Sequence, residues 1–140
     1  MQFVKENGME TVVTVRFAET DALGHVNNTS YFIYFEEARL QFLKELGQKM
    51  EVTNWSFILA STKCDFLSQA YFDQQLKIDT SVSKVGTKSF ELNHFITCKQ
   101  TGVPIAKGNA ILVQFNFDKQ ESEPVPELLR TRLMSLIEVD

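Results

Sequence analysis

The sequence predicts an α+β domain in which an antiparallel sheet wraps around one long central helix. Three observations carry this reading. A run from Tyr31 to Leu46 holds strong helix formers with neither Gly nor Pro, and Gly47 stands where a helix would stop. The first turns of that run are apolar nearly all round. Phe32, Ile33, Tyr34 and Leu40 lie off the stripe formed by Tyr31, Phe35, Ala38, Phe42 and Leu46, so the helix start calls for cover on most sides. Beyond the helix, apolar and polar residues alternate in strand-length runs, the mark of antiparallel strands with one buried face.

In chain order, Thr11–Phe17 is β-branched and aromatic and forms a first strand with Val13, Val15 and Phe17 on one face. A polar segment leads into the helix. Ser56–Phe66, Gln74–Val85, Lys88–Lys99 and Pro104–Phe117 follow as strands, the last three a meander with tight turns at Val85-Gly86-Thr87 and Gln100-Thr101-Gly102. Leu76, Ile78, Thr80 and Val82 share one parity, as do Phe90, Leu92, Ile96 and Cys98, and His94 falls on the same buried parity. His94 reads as a hydrogen-bonded core or interface residue rather than a catalytic one. Pro126–Glu138 reads as a terminal helix, with Pro126 near its start and Leu128, Leu129, Leu133, Leu136 and Ile137 as its apolar side. With no repeat, low-complexity tract or linker, residues 1–140 read as one domain.

Composition narrows the functional classes. The 140 residues are 44% hydrophobic, and a chain this long buries roughly 68–70% of its unfolded surface without needing disulfides or metal. The net charge is −4, and no stretch concentrates the Lys and Arg that a phosphate backbone demands, so nucleic acid is not an expected partner. The N-terminus lacks an apolar signal core and no 18 apolar residues run together, which points to a cytoplasmic protein without a membrane span. Cys64 and Cys98 stand alone, without metal-ligand spacing, and read as buried free thiols.

The chemistry concentrates in Glu19-Thr20-Asp21-Ala22-Leu23-Gly24-His25-Val26-Asn27-Asn28-Thr29-Ser30, between the first strand and the buried helix. A helix N-terminus presents unpaired N–H groups and the positive end of its dipole, so amides around Asn27 to Ser30 suit a developing oxyanion, with Asp21 supplying a carboxylate beside them. Gly24 permits a close backbone approach or a positive φ. Asn, Thr and Ser also cap helices, and the residues alone leave catalysis and capping both open. His25 is either an acid/base partner of Asp21 or a loop histidine. Arg39 projects into the apolar arc of the helix and needs a partner, either an ion pair within the fold or one across a dimer, with Glu36 as an alternative second active-site carboxylate. Lys84, Lys88 and Lys107 are either ligands for a phosphate or solubilising surface charges.

Val15-Arg16-Phe17-Ala18-Glu19-Thr20-Asp21-Ala22-Leu23-Gly24-His25-Val26-Asn27-Asn28, followed by Tyr31 and Tyr34-Phe35-Glu36-Glu37-Ala38-Arg39, resembles the Asp-loop and helix signature of hotdog-fold acyl-CoA thioesterases of the 4-hydroxybenzoyl-CoA thioesterase type. Weaker likeness runs through Asp65-Phe66-Leu67, Val85-Gly86-Thr87-Lys88-Ser89-Phe90 and Gly108–Val113. The resemblance implies a hotdog fold, a homodimer or homotetramer with active sites at a subunit interface, and hydrolysis of an acyl-CoA to a carboxylic acid and free CoA. Asp21 corresponds to the family's nucleophile or general base and Asn28 to its carbonyl-polarising amide, while Gly24, Tyr31, Lys88 and Ser89 fall at substrate-contacting positions. No metal or separate cofactor is implied, coenzyme A being part of the substrate. The Gly24–Asn28 stretch is also similar to plant-type acyl-ACP thioesterases, in which the matching His is catalytic, but Leu23 stands where that family has Asn. Two other functions fit the same scaffold: an acyl-CoA hydratase or dehydratase using Asp21 with His25, and a non-catalytic acyl-CoA-binding module.

Overall fold

The alternation in the meander becomes the inner face of a sheet. The computed structural model describes residues 3–5, 8–49, 51, 53 and 55–137. Its strands are β1 (Phe3–Lys5), β2 (Gly8–Thr14), β3 (Phe57–Phe66), β4 (Gln75–Val85), β5 (Ser89–Cys98), β6 (Pro104–Asn116) and β7 (Glu121–Ser122). All pairings are antiparallel, in the order β1-β2-β4-β5-β6-β3, with β7 on the end of β6. Helix α1 (Ser30–Glu45) packs on β2, β4 and β5, and α2 (Glu127–Ser135) packs on β4. The connection from β2 through α1 to β3 therefore crosses from one side of the sheet to its far edge.

The expected inward residues of β4 and β5 are all buried, His94 included. Its Nδ1 lies 2.9 Å from Thr80 Oγ1 and its ring stacks on Phe35, with centroids 5.2 Å apart. Close packing of α1 on the sheet depends on Gly108, since a Cβ there would fall 2.5 Å from the Phe35 ring. Tyr31, Tyr34, Phe35 and Ala38 join Ile78, Ile96 and Ala106 in one apolar cluster, and Phe42, Leu43 and Leu46 join Leu129 and Leu133 of α2 in another. Arg132 of α2 donates to the Leu46 carbonyl, satisfying an acceptor that the end of α1 leaves open.

Four expectations are corrected. The first strand runs from Gly8 to Thr14 and stops before Phe17, which lies in a 3-10 turn and is 76% exposed. The Glu19 carboxylate folds back onto the Arg16 N–H and closes that turn, ending the strand before Phe17 can join its face. Leu128 is exposed because the buried stripe of α2 is Leu129, Leu133 and Leu136, one step round the helix. The expected end of this helix, Glu138, lies outside the described residues. Cover over the start of α1 is incomplete: Ile33 is exposed and Phe32 half-buried on the flank facing β3. Cys98 is a buried free thiol as expected, whereas Cys64 is only half-buried.

Candidate active site

The loop before α1 is held by its own polar groups. Asp21 N–H donates to the His25 carbonyl (2.8 Å) and Gly24 N–H to the Asp21 carbonyl (3.2 Å), a closure that needs φ near +81° at Gly24. Asp21 Oδ1 accepts from the Leu23 N–H (2.8 Å) and the His25 N–H (3.1 Å). Those bonds fix the carboxylate while Oδ2 has no protein partner among the described residues. Asp21 is exposed, so Oδ2 is open to a reactant.

The loop's two arms are tied together by a bridge between Thr20 and Val26 and by Asn27 N–H donating to the Glu19 carbonyl (2.9 Å). Asn27 Oδ1 accepts from the Thr29 N–H and hydroxyl, and the Ser30 hydroxyl donates to the Glu19 carbonyl (2.9 Å). These side chains thus brace the loop and make no side-chain cap on α1, while the Asn28 N–H donates to no acceptor among the described residues. It stands just before the first turn of α1, where the helix dipole favours negative charge.

Glu19 underlies this arrangement, and its role was not visible in the sequence. Its buried carboxylate accepts from the Arg16 N–H (2.8 Å), the Arg16 guanidinium (3.0 Å) and the Tyr34 hydroxyl (3.0 Å). Burial pushes the Glu19 carboxyl upward, but these hydrogen bonds outweigh it and hold the group below the ordinary 4.5. The Tyr34 phenol is raised by burial and by the Glu19 carboxylate. The available signal was an Arg followed three residues later by an acid at the end of a strand. A folded carboxyl with a lowered pKa contributes stability that is present above about 4.5 and lost as pH falls through its folded value. Glu19→Gln is therefore expected to lower unfolding free energy by about 1–2 kcal/mol at pH 7. Urea denaturation of both proteins at pH 7 and pH 3.5 checks this, the difference shrinking at the lower pH.

The other expected residues divide. The His25 ring packs edge-on to Tyr71, with centroids 5.2 Å apart, and only its backbone N–H meets the Asp21 carboxylate. The hydrogen-bonded side-chain pair that a hydratase would use is thus not formed. Tyr31, expected at the substrate, is 2% exposed and hydrogen-bonded to the Ala70 backbone, which makes it a strut beneath the loop. Val26 N–H donates to the Ala70 carbonyl and Val15 N–H to Gln74, placing Asp21 at the start of β4. Lys88 and Ser89 lie beyond the other end of β4, about 35 Å away at strand rise, so one chain does not bring them to Asp21. Lys84 is exposed, and Lys107 lies over the Phe95 ring at 5.9 Å, so the three lysines do not gather into one site. Among the described residues no three His, Cys, Asp or Glu side chains cluster to hold a metal ion, and no helix is long and apolar enough to cross a membrane.

An antiparallel sheet folded around a helix, matched by the thioesterase family and by solved thioesterases, is the fold of a hotdog-type thioester hydrolase. The chain belongs to the thioesterase-like superfamily, whose sequence profile matches residues 15–133. The uncharacterized protein YsmA of Bacillus subtilis is 36% identical over 125 residues, spanning 86% of this chain and 84% of that protein. The long-chain acyl-CoA thioesterase FadM of Escherichia coli is 26% identical, spanning 92% of this chain and 99% of its own. The structure of a predicted thioesterase from Bacillus stearothermophilus superposes with a TM-score of 0.85 at 31% identity, covering 92% of this chain and 96% of that one.

Proposed function

We propose that the protein hydrolyses an acyl-CoA thioester at Asp21 without metal or separate cofactor. The observation that carries this is the Asp21 carboxylate, fixed through Oδ1 and open at Oδ2, on the same closed loop as the unpaired Asn28 N–H. In the general-base route, Oδ2 takes a proton from water as the water oxygen bonds to the thioester carbonyl carbon. The resulting oxyanion accepts from the Asn28 N–H. Collapse breaks the C–S bond, and the departing CoA thiolate takes the proton from Asp21, leaving a carboxylic acid and free CoA. The likeness to FadM supports CoA as the thiol carrier.

The reading includes a second copy of the chain. β3 is ten residues long, pairs only with β6 among the described residues, and exposes Ile58, Leu59 and Phe66. A long apolar edge of this kind is a template for another strand. If two β3 strands pair antiparallel, the Phe57 end of one meets the Phe66 end of the other. Phe57 pairs with Gln114, whose N–H donates to the Lys88 carbonyl, whereas Leu67 follows Phe66 toward the Asp21 end. The partner's Lys88 and Ser89 then approach this chain's Asp21 loop, which supports the homodimer over an isolated chain, and cationic Lys88 suits the phosphates of CoA.

Free-thiol release from short, medium, long and aromatic acyl-CoAs tests the function. Release from at least one class, at a rate proportional to protein concentration, is expected. No release from any of them rejects the reading.

A further inference from the structure

The turn between β4 and β5 has every one of its carbonyls tied to a donor. Gly86 N–H donates to the Ser89 carbonyl (2.7 Å), and Gln114 N–H, near the end of β6, donates to the Lys88 carbonyl (2.9 Å). The other two acceptors are served from the C-terminal segment: Val125 N–H donates to the Thr87 carbonyl (2.9 Å), and the Arg130 guanidinium donates to the Gly86 carbonyl. The turn's own donors are not used in this way. Neither the Thr87 nor the Lys88 N–H has an acceptor among the described residues, and the Lys88 ammonium has no ion pair among them. Thr87 and Lys88 are both exposed. With its carbonyl oxygens occupied, the turn is left with donors and a cation for an outside partner, a combination that suits phosphate oxygens.

Arg130 is the unexpected member of this set. It is the fourth residue of α2, near the helix N-terminus, where the dipole disfavours a cation. The Gly86 carbonyl is its one polar partner among the described residues. Water could serve a half-buried turn carbonyl, so the guanidinium is not needed merely to satisfy it. Its neighbour Leu129 is buried with Val82, Phe90 and Leu92, and Val85 packs against the same cluster, so a fixed helix carries the guanidinium to the turn.

We infer that Arg130 is a positioning residue for CoA: by holding Gly86 it keeps the β4–β5 turn in the arrangement that offers Lys88 to the CoA phosphates, without itself touching CoA. The inference rests on the thioesterase reading and on the placement of the partner's Lys88 beside Asp21. Binding that requires one arrangement weakens in proportion as that arrangement is less populated. Turnover of bound substrate depends on the reacting groups of the Asp21 loop and should not follow.

Steady-state kinetics on the acyl-CoA that releases thiol fastest test it, in the native protein, Lys88→Met, Arg130→Met and the double variant. Met keeps much of the apolar stem of either side chain and removes its charge. Arg130→Met should raise KM about 3- to 10-fold, with kcat within about twofold of native. A merely structural role would act differently: partial unfolding lowers the concentration of active protein, and so kcat, and leaves KM unchanged. Arg130→Lys, which can still donate to Gly86, should recover part of the lost affinity. The double variant separates positioning from the bare charge of Arg130. If Arg130 acts through the turn, adding Arg130→Met to Lys88→Met should change KM by less than about twofold, whereas an independent charge multiplies the two effects. An unchanged KM in Arg130→Met overturns the inference, as do effects that multiply. An unchanged KM in Lys88→Met removes the turn from the site, and the inference with it. If no acyl-CoA is hydrolysed, the thioesterase reading fails by itself, and calorimetric binding of CoA to the same proteins decides the inference. Weaker binding in Arg130→Met that disappears as a difference in the Lys88→Met background upholds it, and equal or absent binding rejects it.

Discussion

Asp21→Asn is expected to fold as the native protein does and to lose about 10²–10⁴-fold in kcat. Asn keeps an oxygen where Oδ1 accepts from the Leu23 and His25 N–H groups, so the loop closure and the position of the Asn28 amide survive. What disappears is the negative charge and proton affinity at Oδ2. Unchanged circular dichroism and denaturation midpoint, with thiol release near background, is the expected pair of results. Full turnover by a folded Asp21→Asn protein would falsify the assignment of the site. Asp21→Ala is less informative, because it also removes the acceptor that closes the loop. A single turnover in ¹⁸O-water separates the two chemical roles. A nucleophilic carboxylate first forms an anhydride, and water attacking its aspartyl carbonyl leaves ¹⁸O in Asp21, whereas a general base sends it directly into the product acid.

The candidate loop is legible in the sequence because its hydrogen bonding is local. Asp21, Leu23, Gly24 and His25 bond to one another within four residues, and hydrogen bonds of that range follow from residue type and spacing. The inner faces of β4 and β5 were equally accessible, since a period of two leaves each strand one choice of buried parity. Phe17 misled because parity continues on paper through the point where Glu19 turns the chain. Leu128 misled for a related reason, since a short helix with adjacent leucines leaves the buried stripe undecided by one position. Lys88 and Ser89 lie on a correctly expected turn, but their separation from Asp21 is a matter of topology: the chain crosses to β3 before β4 returns beside β2. Glu19 was hidden because an acid in a polar segment ordinarily faces water, and only the fold places Tyr34 over it.

A further large effect is expected from His94, buried in the core against Phe35. Burial, with the Arg39 charge added, pushes its imidazole down from 6.5 to about 3, so it is neutral in the folded protein at pH 7. In the unfolded chain it titrates near 6.5, so between these values the unfolded state binds the extra proton. Its contribution to stability is therefore intact above about 6.5 and falls with decreasing pH, until the folded protein also takes the proton near 3. The slope is about 1.4 kcal/mol per pH unit, or about 2 kcal/mol between pH 6.5 and pH 5. The control is the pair Thr80→Val with His94→Leu. These side chains share one hydrogen bond, and replacing both leaves neither orphaned. At pH 7 the double variant should lie within about 1.5 kcal/mol of the native protein, its Leu keeping contact with Phe35. Chemical denaturation across pH 5 to 7 should show the native protein losing about 2 kcal/mol more than the variant as the pH falls. Parallel pH profiles for the two would mean that His94 takes up its proton in the folded state, and that the core around Phe35 and Gly108 admits water.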